Sequence, residues 1–251
     1  MPDVGGKTVT LRIDRGDDRV VAALDRPQVR NAIDQATIDE LHELCAELEA
    51  SPRMLILTGA GGVFASGADI AELRDRRAAD ARRGINTAAF GRVRALPMPV
   101  IAAIDGPALG GGAELAYAAD IRIGTPAARI GNPETALGII AAAGATWRLP
   151  QLVGEARAAE LLFTGRVLDA DEALAWGLLS AIHRADRLLP AAHELADRIA
   201  ANDPRAVRHT KTALRASPEA HPATELELQA ELFESPQKER RMTAFLERRT
   251  R

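Results

Sequence analysis

Twice along this chain, a short apolar strand leads directly into a glycine-rich turn and then into the start of a helix. The first such segment joins a predicted strand at residues 54–57 to a loop at residues 58–67, and the second joins a predicted strand at residues 100–104 to three consecutive glycines at residues 110–112. Consecutive glycines cost backbone entropy, so they are expected where the main chain turns sharply or approaches a ligand closely. This repeated order predicts a mixed α/β protein whose functional loops follow its strands.

The first glycine-rich segment, residues 59–70, does not match the common nucleotide-binding motifs. The dinucleotide-binding motif needs a glycine where Phe64 stands, and the phosphate-binding loop needs a lysine where Ala68 follows Gly67. The segment does provide a helix start, where main-chain N–H groups lack intrahelical partners and can donate to an anion. An ordinary capped turn, with Asp69 as an acidic residue of the first turn, is the alternative interpretation.

Each of the two later segments contains a glutamate at a helix start. Glu114 lies one turn inside the helix that residues 110–112 open, among alanines. A carboxylate in so apolar a helix is either paired or has its pKa shifted by desolvation, unless it points to water. Glu134 follows Asn132 and Pro133, which suit a helix cap and a first helical position. The helix dipole alone could therefore account for Glu134 as well.

Periodicity in the rest of the chain predicts the domain organisation. Strands are expected at residues 8–13, 19–24, 121–124 and 128–130. Helices are expected at residues 69–83 and 85–96, and a further helix, capped by Asn31 or Asp34, is expected through residue 49. From about residue 131 the pattern becomes mostly helical, beginning with a short helix expected from Glu134 to Leu137. We therefore expect a mixed α/β core over residues 1–190 and a helical C-terminal region over residues 191–251, with no low-complexity linker between them.

Composition argues against several functional classes. The single cysteine, Cys45, cannot form an internal disulfide or a cysteine-rich zinc site, and the 5 histidines show no ligand spacing, so no metal site is expected. A net charge of −3 and an aromatic content of 3% disfavour nucleic acid as a partner. No apolar run is long enough to span a bilayer, and the N-terminal segment lacks the pattern of a secretory signal. We expect no membrane partner and a cytoplasmic protein.

Together, these segments resemble the enoyl-CoA hydratase/isomerase (crotonase) superfamily. The matching landmarks, in chain order, are Leu24-Asp25-Arg26-Pro27 with Asn31-Ala32, residues 64–70, residues 106–114, Asn132-Pro133-Glu134 with Leu137-Gly138, Leu161 with Thr164-Gly165-Arg166, Ala170 with Ala173, Gly177-Leu178, and residues 242–249. Each landmark is weak alone, but in this order they span nearly the whole chain, which makes the resemblance specific.

The resemblance implies a spiral of strand-strand-helix units, followed by a helical C-terminal region that forms homotrimers, which can pair as hexamers. It also implies an acyl-CoA thioester as substrate and no separate cofactor, because coenzyme A is part of the substrate. By position, the N–H groups of Ala68 and Gly111 would form an oxyanion hole, and Asp69, Ile70 and Gly110 would complete the substrate-binding segments. Two such donors would stabilise negative charge that grows on the thioester oxygen.

The pair of glutamates determines which reaction the resemblance implies. Hydratases of the family use two glutamates, at the positions of Glu114 and Glu134, to hold one water over the double bond, whereas members with one glutamate more often move the double bond. The expected reaction is hydration of a 2-trans-enoyl-CoA to a 3-hydroxyacyl-CoA, with Glu114 as base towards water and Glu134 as acid at Cα. The alternatives are an enoyl-CoA isomerase, a specialised hydroxyacyl-CoA dehydratase, or a non-catalytic acyl-CoA-binding protein.

The chain departs from the family pattern shortly after Glu134. The family sequence P-G-A-G-G-T-Q is replaced by Ala141-Ala142-Ala143-Gly144-Ala145-Thr146-Trp147. Two glycines and the proline are absent, and Trp147 stands in place of a polar residue. We expect this change to alter the shape of the pocket and so the preferred acyl chain.

Overall fold

The computed structural model describes residues 9–249, and Thr8 of the first predicted strand lies outside them. The chain divides into two compact units, with the boundary between Leu195 and Ala196. No described helix is long and apolar enough to cross a membrane. Among residues 9–249, no cluster of three histidine, cysteine or acidic side chains is arranged to hold a metal ion.

Within residues 9–249, all strands lie in the first unit. Their bounds are β1 (Leu11–Arg15), β2 (Arg19–Leu24), β3 (Met54–Gly59), β4 (Val100–Ile104), β5 (Pro107–Leu109), β6 (Ile121–Gly124), β7 (Arg129–Gly131), β8 (Val167–Leu168) and β9 (Ala181–Ile182). The helices of this unit are α1 (Gln35–Ala50), α2 (Ile70–Asp75), α3 (Ala78–Arg83), α4 (Ile85–Ala95), α5 (Gly111–Ala118), α6 (Ala145–Val153), α7 (Glu155–Thr164) and α8 (Ala170–Ala175). Helix α9 (Ala185–Ala200) crosses the boundary between the units.

Two sheets organise the first unit. The larger sheet has the strand order β1-β2-β3-β4-β6-β9, with an antiparallel β1–β2 hairpin and parallel pairing elsewhere. All residues of β4 are buried, as expected for a central strand of a parallel sheet that is covered on both faces. A smaller sheet has the order β5-β7-β8. Because β3 and β4 are parallel neighbours, the glycine-rich segments that follow them leave the larger sheet at the same edge.

The apolar stripe of α1 packs into the core as its spacing predicts. Ile38, Leu41 and Leu44 are buried, and the carboxylate of Asp34 caps the helix by accepting a hydrogen bond from Thr37 N at 2.9 Å. Asn31, the other candidate cap, has a different role. Its Nδ2 donates to two carbonyl oxygens of the loop after β3, at residues 60 and 63, and so holds that loop in place.

The structure corrects some of the predicted elements. The helix expected at residues 69–83 is two helices, because the main chain is extended at Arg76 and Arg77 and the Asp80 carboxylate accepts from Arg77 N, which starts α3. The helix expected from Glu134 to Leu137 is a 3₁₀ helix at Pro133–Leu137. The strands β5, β8 and β9 were not predicted.

The second unit is helical over its described residues. It contains α10 (Pro204–Arg215), a 3₁₀ turn at Pro218–Ala220, α11 (Ala223–Phe233) and α12 (Pro236–Arg249). Glu231 of α11 accepts hydrogen bonds from Arg205 and His209 of α10, which joins these two helices.

Candidate active site

The two glycine-rich segments are hydrogen-bonded to each other beyond the edge of the larger sheet. Ala65 N donates to Pro107 O at 3.0 Å, and Leu109 N donates to Ala65 O at 2.9 Å. These bonds pair the loop before α2 with strand β5, which leads into α5. The short strand β5 therefore aligns the two helix starts that the sequence analysis singled out.

The main-chain nitrogens of Ala68 and Gly111 approach the same small volume. Gly67 O and Asp69 N are both bound to Ile33, so the N–H of Ala68 between them points away from that residue. Gly111 is the first residue of α5, where an N–H has no intrahelical acceptor. A Cβ placed on Gly111 would lie 3.5 Å from Ala68 N. Because glycine has no such atom, the space between the two donors is open.

Glu114 is buried in the first turns of α5, with 4% of its surface exposed. Its Oε1 accepts hydrogen bonds from Ala143 N at 2.7 Å and from Ala145 N at 3.1 Å. Burial raises the pKa of Glu114 to about 7, and the charge of Glu134 adds to this, while the two main-chain donors oppose it. The segment that departs from the family pattern thus holds this carboxylate directly.

Glu134 lies at the start of the 3₁₀ helix and is 9% exposed. Its Oε1 accepts a hydrogen bond of 3.3 Å from Asn132 Nδ2, whereas its Oε2 is buried and has no hydrogen-bond partner among the described residues. Burial raises the pKa of Glu134 above its usual range, against hydrogen bonds from its own main-chain N–H and from Asn132. A Cβ on Gly110 would lie 3.1 Å from Oε1, so this glycine leaves room for the carboxyl.

One cavity of about 610 Å³ brings four of the predicted site residues together. Ala68, Gly111, Glu114 and Glu134 all line it. It thus combines two main-chain donors, suited to a developing oxyanion, with two carboxyls whose raised pKa values suit proton transfer.

The other predicted residues have different surroundings. Asp69 caps α2, since its Oδ1 accepts from Ala71 N at 2.9 Å, and Ile70 is 59% exposed. Trp147 is 48% exposed, and the guanidinium of Arg94 lies 5.2 Å from the centre of its ring. None of these three is among the residues that line the cavity, whereas Ala142 and Ala143 of the departing segment are.

Several residues that line the cavity were missed by sequence reasoning. They are Leu73, Arg76, Arg77, Ala78, Asp80, Ala81, Gly84, Ile85, Asn86, Thr87, Ile139 and Ile140. For the residues from Leu73 to Ala81, a signal that could have found them is the polar, arginine-rich stretch between the two glycine-rich segments. Asn86 is the most notable, because its Nδ2 would lie 3.4 Å from a Cβ on Gly111.

The chain matches known proteins over almost its full length. A family model described as enoyl-CoA hydratase/isomerase matches residues 19–251. The short-chain-enoyl-CoA hydratase of Clostridium acetobutylicum is 39% identical over 238 residues, which cover 91% of both chains. The crotonyl-CoA hydratase of Syntrophomonas wolfei is 36% identical over 247 residues, covering 94% of this chain and 95% of its own.

The fold also matches a solved structure. The crystal structure of an enoyl-CoA hydratase from Bacillus anthracis has a TM-score of 0.90 to this chain at 34% sequence identity, covering 96% of this chain and 97% of its own. Sequence and structure therefore agree, and the predicted fold class is confirmed: a crotonase-like α/β spiral followed by a helical C-terminal region. This chain belongs to the enoyl-CoA hydratase/isomerase family.

Proposed function

We propose that this protein is an enoyl-CoA hydratase, which adds water across the 2,3 double bond of a 2-trans-enoyl-CoA and releases a 3-hydroxyacyl-CoA. The observation that carries the proposal is that Glu114, Glu134 and the main-chain nitrogens of Ala68 and Gly111 border one cavity. Relatives whose names specify hydration of short enoyl-CoA thioesters support it.

The two main-chain donors would bind the thioester oxygen. As the water oxygen bonds to C3, the electron pair of the double bond moves towards the thioester group. Negative charge then grows on the thioester oxygen. Preorganised N–H groups of Ala68 and Gly111 would stabilise that charge, and one such donor contributes roughly 3–4 kcal/mol in comparable sites. Small residues at both positions leave the oxygen room to approach.

The two carboxyls would divide the proton transfers. Glu114 takes a proton from the water as the water oxygen bonds to C3, and Glu134 gives its proton to C2. The proton left on Glu114 is then released and Glu134 is protonated again, so each turnover adds the atoms of one water. A base is most effective with a pKa near the working pH, which the value of about 7 for Glu114 satisfies. Burial also raises the pKa of Glu134, and its Oε2, which has no hydrogen-bond partner among the described residues, is the oxygen placed to carry and deliver the proton.

The proposal is tested by following the loss of the conjugated thioester absorbance when the protein is added to crotonyl-CoA and to longer 2-enoyl-CoA substrates. Glu114→Gln and Glu134→Gln keep the shape of each side chain but remove its acid–base function, so each should lower kcat by about 10²-fold or more. Glu155→Gln, on the exposed start of α7, is the matched control and should leave kcat unchanged.

Three results would contradict the proposal. Unchanged absorbance with short, medium and long chains would exclude hydration of these substrates. Wild-type rates in both glutamate variants would remove the assigned roles. A kcat/KM that is higher for a 3-enoyl-CoA than for the 2-enoyl-CoA would assign double-bond isomerisation instead.

A further inference from the structure

Tyr117 is a buried polar residue that the proposed reaction does not use. It is the only tyrosine in the chain, and 1% of its surface is exposed. It lies on α5, three residues after Glu114, so it sits one turn further along the same helix. Its hydroxyl is 2.9 Å from Oδ1 of Asn132, and burial raises the pKa of this hydroxyl so that it keeps its proton.

The neighbours of Asn132 determine which way its amide group faces. Nδ2 lies 3.4 Å from Gly110 O and 3.3 Å from Glu134 Oε1, both of which can accept a hydrogen bond. An amide turned the other way would place its oxygen against these two acceptors and its nitrogen against Tyr117. The observed orientation therefore leaves Oδ1 for Tyr117, and the tyrosine hydroxyl must be the donor.

We propose that Tyr117 is a positioning residue, which acts through Asn132 to fix how the carboxyl of Glu134 is presented to the substrate. This inference rests on the proposed function, in which Glu134 gives a proton to C2. The hydroxyl of Tyr117 holds the amide of Asn132, and the amide N–H holds Oε1 of Glu134. Oε2 is then the oxygen without a partner in the described structure, and it is the one that delivers the proton.

Tyr117 influences Glu134 only indirectly, through Asn132. It is not among the residues that line the cavity, and its hydroxyl contacts Asn132 rather than either glutamate. The amide it orients is itself 1% exposed, so water cannot replace the lost donor at low cost. Without the tyrosine donor, Oδ1 is a buried acceptor left unpaired, and the Asn132 amide is held only by its longer hydrogen bonds of 3.4 Å and 3.3 Å, so it can move away from Oε1 of Glu134.

The charged surroundings of Glu134 stay the same when the tyrosine hydroxyl is removed. The titratable or charged side chains around the same cavity are Glu114, Arg76, Arg77 and Asp80. Tyr117 is neutral, so Tyr117→Phe alters no charge. Any change in the titration of Glu134 would then come from the position of the Asn132 amide, because its N–H donor favours the charged carboxylate and a weaker donor raises the pKa of Glu134.

The test compares Tyr117→Phe with the unaltered protein in crotonyl-CoA hydration over a range of pH. We expect kcat to fall about tenfold, the size of one lost buried hydrogen bond, with little change in KM. The limb of the pH profile on which activity falls as Glu134 loses its proton should move to higher pH. Thr125→Val is the matched control, since it removes another buried hydroxyl, bonded to Asp105 Oδ1 at 2.7 Å, and should leave the profile in place.

A double-mutant cycle separates positioning from packing. In an Asn132→Ala background, Tyr117→Phe should cause no further loss of kcat, because the residue through which it acts is absent. If the losses of kcat caused by the two substitutions multiply in the double variant, the proposal is overturned. An unchanged pH profile in a folded Tyr117→Phe variant would overturn it as well. If Tyr117→Phe fails to fold, Asn132→Ala alone must still move the same limb of the profile, and an unmoved limb would overturn the proposal.

An infrared titration of the protonated carboxyl band, assigned with Glu134→Gln, measures the same effect without substrate. Tyr117→Phe should raise the pKa of Glu134. An unchanged pKa would overturn the positioning role even in an active hydratase. A raised pKa in a protein that is inactive on every enoyl-CoA would support the contact network and overturn only the proposed hydration.

Discussion

The three consecutive glycines at residues 110–112 are each needed for a different physical reason. Gly110 has a φ of +52°, which other residues rarely adopt, and it leaves room for the carboxyl of Glu134. A Cβ on Gly111 would meet only Asn86 Nδ2 at 3.4 Å and main-chain atoms of the first loop at 3.5 Å or more. A Cβ on Gly112 would lie 2.3 Å from Ala65 O, which is a severe clash. Gly110 and Gly111 therefore keep space open in the candidate site, whereas Gly112 is needed for the packing of the fold.

Alanine substitutions should separate these roles. Gly111→Ala should fold, but its methyl group would occupy the space between the two proposed oxyanion donors, so kcat/KM should fall by about 10²-fold or more. Gly112→Ala should lower the free energy of unfolding by roughly 2–3 kcal/mol through overpacking. Gly91→Ala, inside α4 where a Cβ would have nothing within 4 Å, is the control: it should leave kcat/KM unchanged and raise the free energy of unfolding by about 0.5–1 kcal/mol, because alanine is favoured over glycine in a helix. An unchanged kcat/KM in Gly111→Ala would contradict the assignment of the Gly111 N–H group as an oxyanion donor.

The carboxyl of Glu114 should make stability depend on pH. Its pKa is raised from 4.5 to about 7 in the folded chain, so the unfolded chain loses this proton first and stability falls as pH rises between these values. Glu114→Gln keeps an oxygen for the two main-chain donors and removes the charge. It should be more stable than the unaltered protein by roughly 2–3 kcal/mol at pH 8, with the gain vanishing below pH of about 4.5. Urea denaturation at fixed protein concentration measures this; a gain that does not vary with pH would contradict the assigned cause.

At the scale of secondary-structure elements, predictability follows how local the stabilising contacts are. The uniformly apolar β4 and the stripe of α1 were predicted, because burial alone explains their patterns. The two- and three-residue strands β5, β8 and β9 were missed, because pairing with distant strands creates them. The break between α2 and α3 was also missed, since it depends on the Asp80 side chain competing for a main-chain N–H.

In the candidate site, too, the residues that could be predicted are those that the local sequence indicates. Ala68, Gly111, Glu114 and Glu134 were found from glycine-rich segments with a recognisable order, and they line one cavity. Asn86 was missed because nothing in its local sequence indicates that α4 packs beside α5. Residues that reach a cavity through tertiary packing leave no periodic signal in the chain.

Glu40 joins helix α1 to the first strand and should be essential for their packing. Its carboxylate accepts from Leu11 N at 2.7 Å and from the main chain and hydroxyl of Thr10 at 3.0–3.2 Å. Glu40→Ala leaves these buried donors unpaired and should lower the free energy of unfolding by about 2–4 kcal/mol. Asp39→Ala, the exposed neighbour on α1, is the matched control and should cost about 0.5 kcal/mol or less. Equal losses in thermal denaturation would contradict this role.

At the scale of the whole molecule, the second unit exposes apolar side chains that a single chain leaves uncovered. Leu226 is 65% exposed, Phe233 52% and Met242 53%, all on α11 or α12. Phe233 and Met242 border the same surface cavity, and exposed apolar surface of this kind indicates a protein–protein contact. We propose that further copies of this chain cover them in a homotrimer, or in a dimer of trimers.

Sedimentation velocity tests this assembly. The unaltered protein should have the mass of three or six chains, and Leu226→Glu combined with Met242→Glu should shift it towards one, because buried carboxylates are costly in an apolar contact. Thr212→Glu adds the same charge at an exposed position of α10 and should leave the mass unchanged. A monomeric unaltered protein would contradict the proposal.

Close main-chain contacts between the two glycine-rich segments also limit how such a protein can diverge. A Cβ at Gly106 would lie 2.0 Å from Gly62 O, so any side chain there would prevent the chain from folding. Selection for a new activity therefore has no variants to act on at this position. Ile139 and Ile140 form part of the cavity wall and are 40% and 69% exposed, so other side chains can replace them without such a clash. Descendants of this chain could therefore acquire new acyl substrates by changing the wall, while inheriting the main-chain donors unaltered.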